Sequence, residues 1–200
     1  MTRGGDRGAP PPAKPLRLFV AVDVPPAVKD GLEAAVAPYR PRVPAARWTR
    51  PTDWHVTLKF LGSTWPRMLD TVRQAVREAA GDSAAGTSRL TEVGVFPNVR
   101  RTRVVWAGLA DEDGRLAALA GRLDDLLADL VEPEDRPFTP HLTLARINPS
   151  RDLHEFAPDL VGLSVASESF AVDRLVLYRS HLSPHGATYE VLAEESLGGR

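Results

Sequence analysis

Apolar residues in this 200-residue chain follow two different spacings, one of about two residues and one of three to four, and they alternate from residue 16 to about residue 195. "LRLFVAVDV" (16–24) is a mostly apolar run of β type that stops at Pro25-Pro26. "PAVKDGLEAAVAPY" follows with helical spacing, and Asp23 stands near its start. An arginine-dotted loop, "RPRVPAARWTRP" (40–51), leads into a strand over "HVTLKFLG" (55–62). After Gly62-Ser63-Thr64 a helix is predicted from Pro66, with Leu69, Val72, Val76 and Ala79 on one face. "SRLTEVGVFP" and "TRVVWAGL" are β-type runs around "NVRR" and predict a hairpin. Leu116, Leu119, Leu123, Leu126 and Leu130 step by three and four, predicting a core-facing helix over about 112–131 that is too short in heptads for a zipper. A strand at about 140–147, a short helix near 151–157, and strands in "FAVDRLVLYRS" and "TYEVLAE" complete the series.

The order β-α-β-α-β-β-α-β-β-β predicts an α+β fold with a largely antiparallel sheet. No linker interrupts it, so residues 16–197 are expected to form a single domain. Residues 1–15, rich in Gly, Pro and Arg, cannot bury apolar surface and are expected to be a disordered tail, with "GGR" at 198–200 as a frayed end.

Composition narrows the function classes. At 21.8 kDa and 43% hydrophobic residues the chain can build a substantial core. Twenty-five Lys and Arg against 26 Asp and Glu leave a net charge of −1, so no global field draws in nucleic acid and any attraction for phosphate must be local. Only Lys14, Lys29 and Lys59 are lysines. The absence of cysteine excludes disulfides, thiolate metal sites and a cysteine nucleophile, and suits a reducing compartment. No apolar signal-peptide core or run of membrane-span length is present, so a cytoplasmic protein is expected.

The chemistry enters with a repeat. "RPTDWHVTLKF" (50–60) matches "RPFTPHLTLAR" (136–146) at Arg, Pro, His, Thr and Leu. Alternate residues of a strand share a face, so His55 and Thr57 point one way while Val56 and Leu58 point into the core, and His141 and Thr143 do likewise. Two halves related by an approximate two-fold axis would bring two His-Thr pairs across one groove. An imidazole titrates near about 6.5, so one ring can accept a proton from water while the other donates to a departing oxygen. Each Thr hydroxyl can donate to a phosphate oxygen. His154, His181 and His185 lack such flanks and are read as structural. A zinc site is not expected, because His-x-Thr has neither the i, i+4 helical pair nor His-x-His spacing, and no third ligand stands out.

With these motifs the chain resembles the two-histidine (2H) phosphoesterase superfamily and, within it, the RNA 2′,3′-cyclic phosphodiesterases historically called 2′-5′ RNA ligases (LigT/ThpR-like). The resemblance runs from about 16 to 195, through "RLFVAVDVP", "ARWTRPTDWHVTLKFLG", "GVFPNVRRTRVVWAGL", "RPFTPHLTLARI" and "LVLYRSHLSPHGATYEVL". It implies a bilobal α+β fold, two pseudo-symmetric lobes of antiparallel sheet with helices outside and a central groove. It also implies a phosphodiesterase without metal or other cofactor, acting as a monomer on RNA ends or nucleotides that bear a 2′,3′-cyclic phosphate, away from membranes, and opening them to 2′-phosphomonoesters. His141 would be the base and His55 the acid, roles that could be exchanged, with Thr57 and Thr143 as phosphate ligands. Arg146 would belong to the same site, and its repeat partner Phe60 would stack on a base. Strand parity opposes both: five residues from its His, each falls on the other face unless the strand ends or bulges. The same site run backwards would be a 2′-5′ RNA ligase. A non-catalytic RNA-binding module would use Arg40, Arg42, Arg47, Arg50 and the arginines of "NVRRTR" on phosphates.

Overall fold

The computed structural model describes residues 14–132, 136–183 and 186–198. Its strands are β1 (Leu16–Asp23), β2 (Ala46–Trp48), β3 (His55–Thr64), β4 (Gly86–Ser88), β5 (Leu90–Phe96), β6 (Thr102–Leu109), β7 (His141–Arg151), β8 (Phe170–Val172), β9 (Arg174–Ser183) and β10 (Gly186–Ser196). Its helices are α1 (Pro26–Val36), α2 (Leu69–Gly81) and α3 (Arg115–Leu126). Most of the expected disordered tail, residues 1–13, and Gly199-Arg200 of the expected frayed end lie outside the described residues.

Eight strands form one antiparallel sheet in the order β10-β9-β1-β3-β7-β6-β5, with β2 added beside β7; β4 and β8 pair separately. The two lobes anticipated from the repeat are the two sides of this sheet. They meet at a single register pair, Val56 opposite Leu142, where the two His strands touch. The helices cover one face. Leu18, Val20 and Val22 of β1 pack there with Leu32 and Val36 of α1, Val72, Val76 and Ala79 of α2, and Leu116, Leu119 and Leu123 of α3, all nearly or fully buried. The opposite face carries the groove.

Local chemistry adjusts the expected boundaries. α1 stops at Val36 because Pro38 tightens the next turn into a 3-10 segment, Ala37–Tyr39. Asp23 does not cap that helix, which starts from Pro25 without a side-chain cap; its carboxylate instead accepts from the Tyr178 hydroxyl at 2.8 Å. Pro66 opens a 3-10 turn, Pro66–Met68, ahead of α2. α3 is shorter than its leucine stripe, and Leu126 and Leu130 pack on the core only partly buried. The short helix expected near 151–157 is a 3-10 turn, Leu153–Glu155, because β7 continues to Arg151. The arginine-dotted segment is not all loop, since Ala46–Trp48 forms β2 against Ala145–Ile147.

Candidate active site

Antiparallel pairing about Val56 and Leu142 places His55 across from Thr143, and Thr57 across from His141. Val56 and Leu142 are fully buried on the helix side, so both His-Thr pairs face the groove. His55, Thr57, Phe60, His141, Thr143 and Arg146 all line this one cavity of about 1070 Å³. The structure therefore brings together every residue singled out from the motifs.

Arg146 and Phe60 reach the groove because parity breaks at the same place in each motif. In β3 the pairing with β1 skips Leu58: Ala21 faces Thr57 and Val20 faces Lys59. In β7 the pairing with β6 skips Leu144: Trp106 faces Thr143 and Val105 faces Ala145. Each extra residue is a β-bulge that turns the next side chains over to the other face. Phe60 and Arg146 are thereby exposed in the groove, while Lys59 and Ala145 turn inward. Lys59, 1% exposed, meets the Asp124 carboxylate of α3 at 2.5 Å and donates to the Glu132 carbonyl at 3.3 Å. Those partners satisfy a buried ammonium that would otherwise be costly.

The second bulge is held from the first motif's own flank. The Thr49 hydroxyl lies 2.9 Å from the Thr143 carbonyl and 2.8 Å from that of Leu144, and it accepts from Trp54 Nε1 at 2.7 Å. The Thr49 amide also donates to the Leu144 carbonyl at 2.9 Å. Sequence reasoning passes over Thr49 as loop.

The imidazoles share one tether and differ in surroundings. His141 Nδ1 lies 2.7 Å from the Thr139 carbonyl, so in the neutral ring Nδ1 carries the proton and Nε2 the lone pair. His55 is likewise hydrogen-bonded to the backbone two residues earlier, at Asp53. Phe19 stacks on His55 at 4.7 Å between centroids and Tyr189 meets it edge-on at 5.1 Å. Phe96 meets His141 edge-on at 5.2 Å. Burial pulls the His55 imidazole down to about 4, against the Asp53 backbone bond and the Asp23 carboxylate, both of which favour its charged form. Tyr178 stacks behind Phe19 at 5.1 Å. Burial raises its phenol well above the usual range, and the bond to Asp23 adds to this. These aromatics were missed because each lies on another strand, up to three strands away in the sheet, and only sheet order reveals what faces a motif.

His154 and His181 are not among the residues that line the cavity. His154 lies on the exposed 3-10 turn, His181 Nε2 meets Glu190 at 2.7 Å, and His185 lies outside the described residues. Among the described residues no three His, Cys, Asp or Glu side chains are grouped as metal ligands. No helix among them is long and apolar enough to cross a membrane.

Known proteins share the family and the fold. The model of the 2′-5′ RNA ligase superfamily matches residues 24–184. An RNA 2′,3′-cyclic phosphodiesterase of Thermus thermophilus is 35% identical over 193 residues, covering 92% of this chain and 91% of its own. A crystal structure from the same organism superposes with a TM-score of 0.77 at 32% identity, over 92% of this chain and 99% of the other. The LigT protein of E. coli, in complex with 3′-AMP, superposes with a TM-score of 0.72 at 26% identity, over 92% and 98%.

Proposed function

We propose, since the chain belongs to the 2′-5′ RNA ligase superfamily, that it is an RNA 2′,3′-cyclic phosphodiesterase working without a metal ion. The observation that carries this reading is the single Val56–Leu142 rung, which sets two imidazoles and two hydroxyls around one point on the groove face. A cyclic phosphate seated there receives hydroxyl donors from Thr57 and Thr143 on its non-bridging oxygens, and those donors strengthen as charge grows on phosphorus. His141 Nε2 removes a proton from the attacking water, whose oxygen bonds to phosphorus as the bond to the 3′ oxygen breaks. His55 gives its proton to that oxygen, and the product is a 2′-phosphomonoester with a free 3′ hydroxyl.

Burial keeps His55 neutral near pH 7 in the free protein, the wrong state for a donor. The substrate supplies the correction. An anion about 4 Å away favours an imidazolium by about 4 kcal/mol at an effective dielectric of 20, equivalent to about three pKa units. Arg146, placed by its bulge, binds the phosphate, and Phe60 offers a face for the terminal base. Both motifs lie in one chain, so the site is complete in a monomer. The absence of cysteine suits the cytoplasm, where we place the enzyme.

Chelator-treated protein incubated with an RNA ending in a 2′,3′-cyclic phosphate should yield the 2′-phosphate and no 3′-phosphate, resolved by chromatography against both standards. No turnover would return the protein to an RNA-binding role, and turnover only after added zinc or magnesium would sink the metal-free mechanism.

A further inference from the structure

The four arginines of residues 40–50 differ in what holds them. Arg40 is clamped by Glu33, Arg42 by both oxygens of Asp159, and Arg50 by Asp53 at 2.8 and 3.1 Å. Arg47 has no carboxylate partner among the described residues. It stands opposite Arg146 in the β2–β7 register, and Arg146 lacks such a partner too. Like charges facing each other across antiparallel strands repel, so this exposed pair carries a cost that an anion would relieve.

The Arg47 side chain also bridges the two halves. Its Nη2 approaches the backbone of Gly186, where β10 begins, so closely that a Cβ there would lie 3.2 Å away. Gly186 has a φ of 136°, a conformation L side chains rarely adopt, and it leaves that approach open. Ala187, the next residue, lines the groove, and Arg17 of the first half faces into it as well. In a protein of net charge −1 this is a local concentration of positive charge at the cavity's edge, beside the residue that meets the reacting phosphate.

We propose that Arg47, paired across the strands with Arg146, forms a second phosphate subsite that takes the phosphodiester on the 5′ side of the terminal nucleotide. The inference rests on the cyclic phosphodiesterase reading and specifies its substrate as an oligonucleotide, bound through two phosphates, in preference to a cyclic mononucleotide. Arg146 serves the reacting phosphate and Arg47 the next one along the chain. A guanidinium fork suits that anion.

Steady-state kinetics test it with three substrates: adenosine 2′,3′-cyclic phosphate, the dinucleotide ApA ending in the same cyclic phosphate, and that dinucleotide with a neutral methylphosphonate linkage. The wild type should favour the charged dinucleotide over the other two by about tenfold in kcat/KM, and Arg47→Gln should remove that preference, its loss on the charged dinucleotide being about tenfold greater than on the mononucleotide. Equal losses on all three, or none on any, would overturn the subsite while leaving the cyclic phosphodiesterase reading standing. A preference that survives the neutral linkage would assign it to stacking of the second base and also overturn the subsite. If the wild type opens none of the substrates, the cyclic phosphodiesterase reading itself fails.

Discussion

The half built on β3 and the half built on β7 share a backbone and differ in side chains at the positions that decide chemistry. HVTLKFL and HLTLARI have the same succession of half-buried, buried and exposed residues, and both bulge after the fourth position. The fifth position holds a buried lysine in one and a buried alanine in the other, and the sixth holds Phe60 or Arg146. His55 is stacked on Phe19 and edge-packed by Tyr189, while His141 is edge-packed by Phe96. Backbone symmetry thus gives both histidines equal reach, and side-chain asymmetry lets one phosphate meet a proton acceptor on one side and a proton donor on the other.

The sharpest way to break that comparison is to remove the imidazoles one at a time. His55→Ala and His141→Ala should each lower kcat/KM on cyclic-phosphate RNA by about 10²–10⁴. A phosphodiester releasing p-nitrophenol needs little protonation of the departing oxygen, so it should rescue His55→Ala and leave His141→Ala impaired. Rescue of His141→Ala instead would exchange the roles, and rescue of neither would make both residues phosphate ligands.

Titration tests the same asymmetry without a mutation. The free enzyme is read through kcat/KM, whose lower limb should fall near 4 because burial disfavours the charged His55. The bound anion favours the protonated ring and raises its pKa, so the corresponding limb in kcat should move up by as much as about three units. The two limbs belong to the coupled pair, and their displacement between the profiles is the informative quantity. Coincident lower limbs would mean that the phosphate does not sit beside His55.

A smaller effect is expected at Thr49, which holds the bulge of the β7 half alone. Thr49→Val removes its hydroxyl from the Thr143 and Leu144 carbonyls and leaves Trp54 Nε1 without its acceptor, so KM should rise about tenfold through misplacement of Arg146. Thr49→Ser should restore it. Combining Thr49→Val with Arg146→Gln should cost less than the sum of the two, measured as a double-mutant cycle. Additive losses would give Thr49 a purely structural role.

The succession of the main strands and helices along the chain and the four His and Thr residues were legible from periodicity and repetition, because both depend on local spacing. The sixth position of each motif was not. Period-2 reading turns Lys59 and Ala145 outward and Phe60 and Arg146 inward, and nothing within the eight residues of either motif marks the bulge that reverses them. The bulge is defined by pairing with β1 and β6 and, in β7, by Thr49, all supplied from elsewhere in the chain. Tyr178 and Tyr189 were hidden for a related reason, since they come from strands more than a hundred residues from His55.

The lone rung between Val56 and Leu142 has one more consequence, best put in the language of oligomers. If each half were a separate polypeptide with a single His-x-Thr, the same rung would be an isologous contact, in which a residue meets its own copy about a two-fold axis. Such a homodimer would hold both rings in one environment with one proton affinity, and any substitution that desolvated one would desolvate the other. Joining the halves in one chain releases that constraint. Phe19 and Tyr189 can enclose His55 while His141 keeps different neighbours, and a fused dimer can do with two unlike groups what a true dimer would have to do with two identical ones.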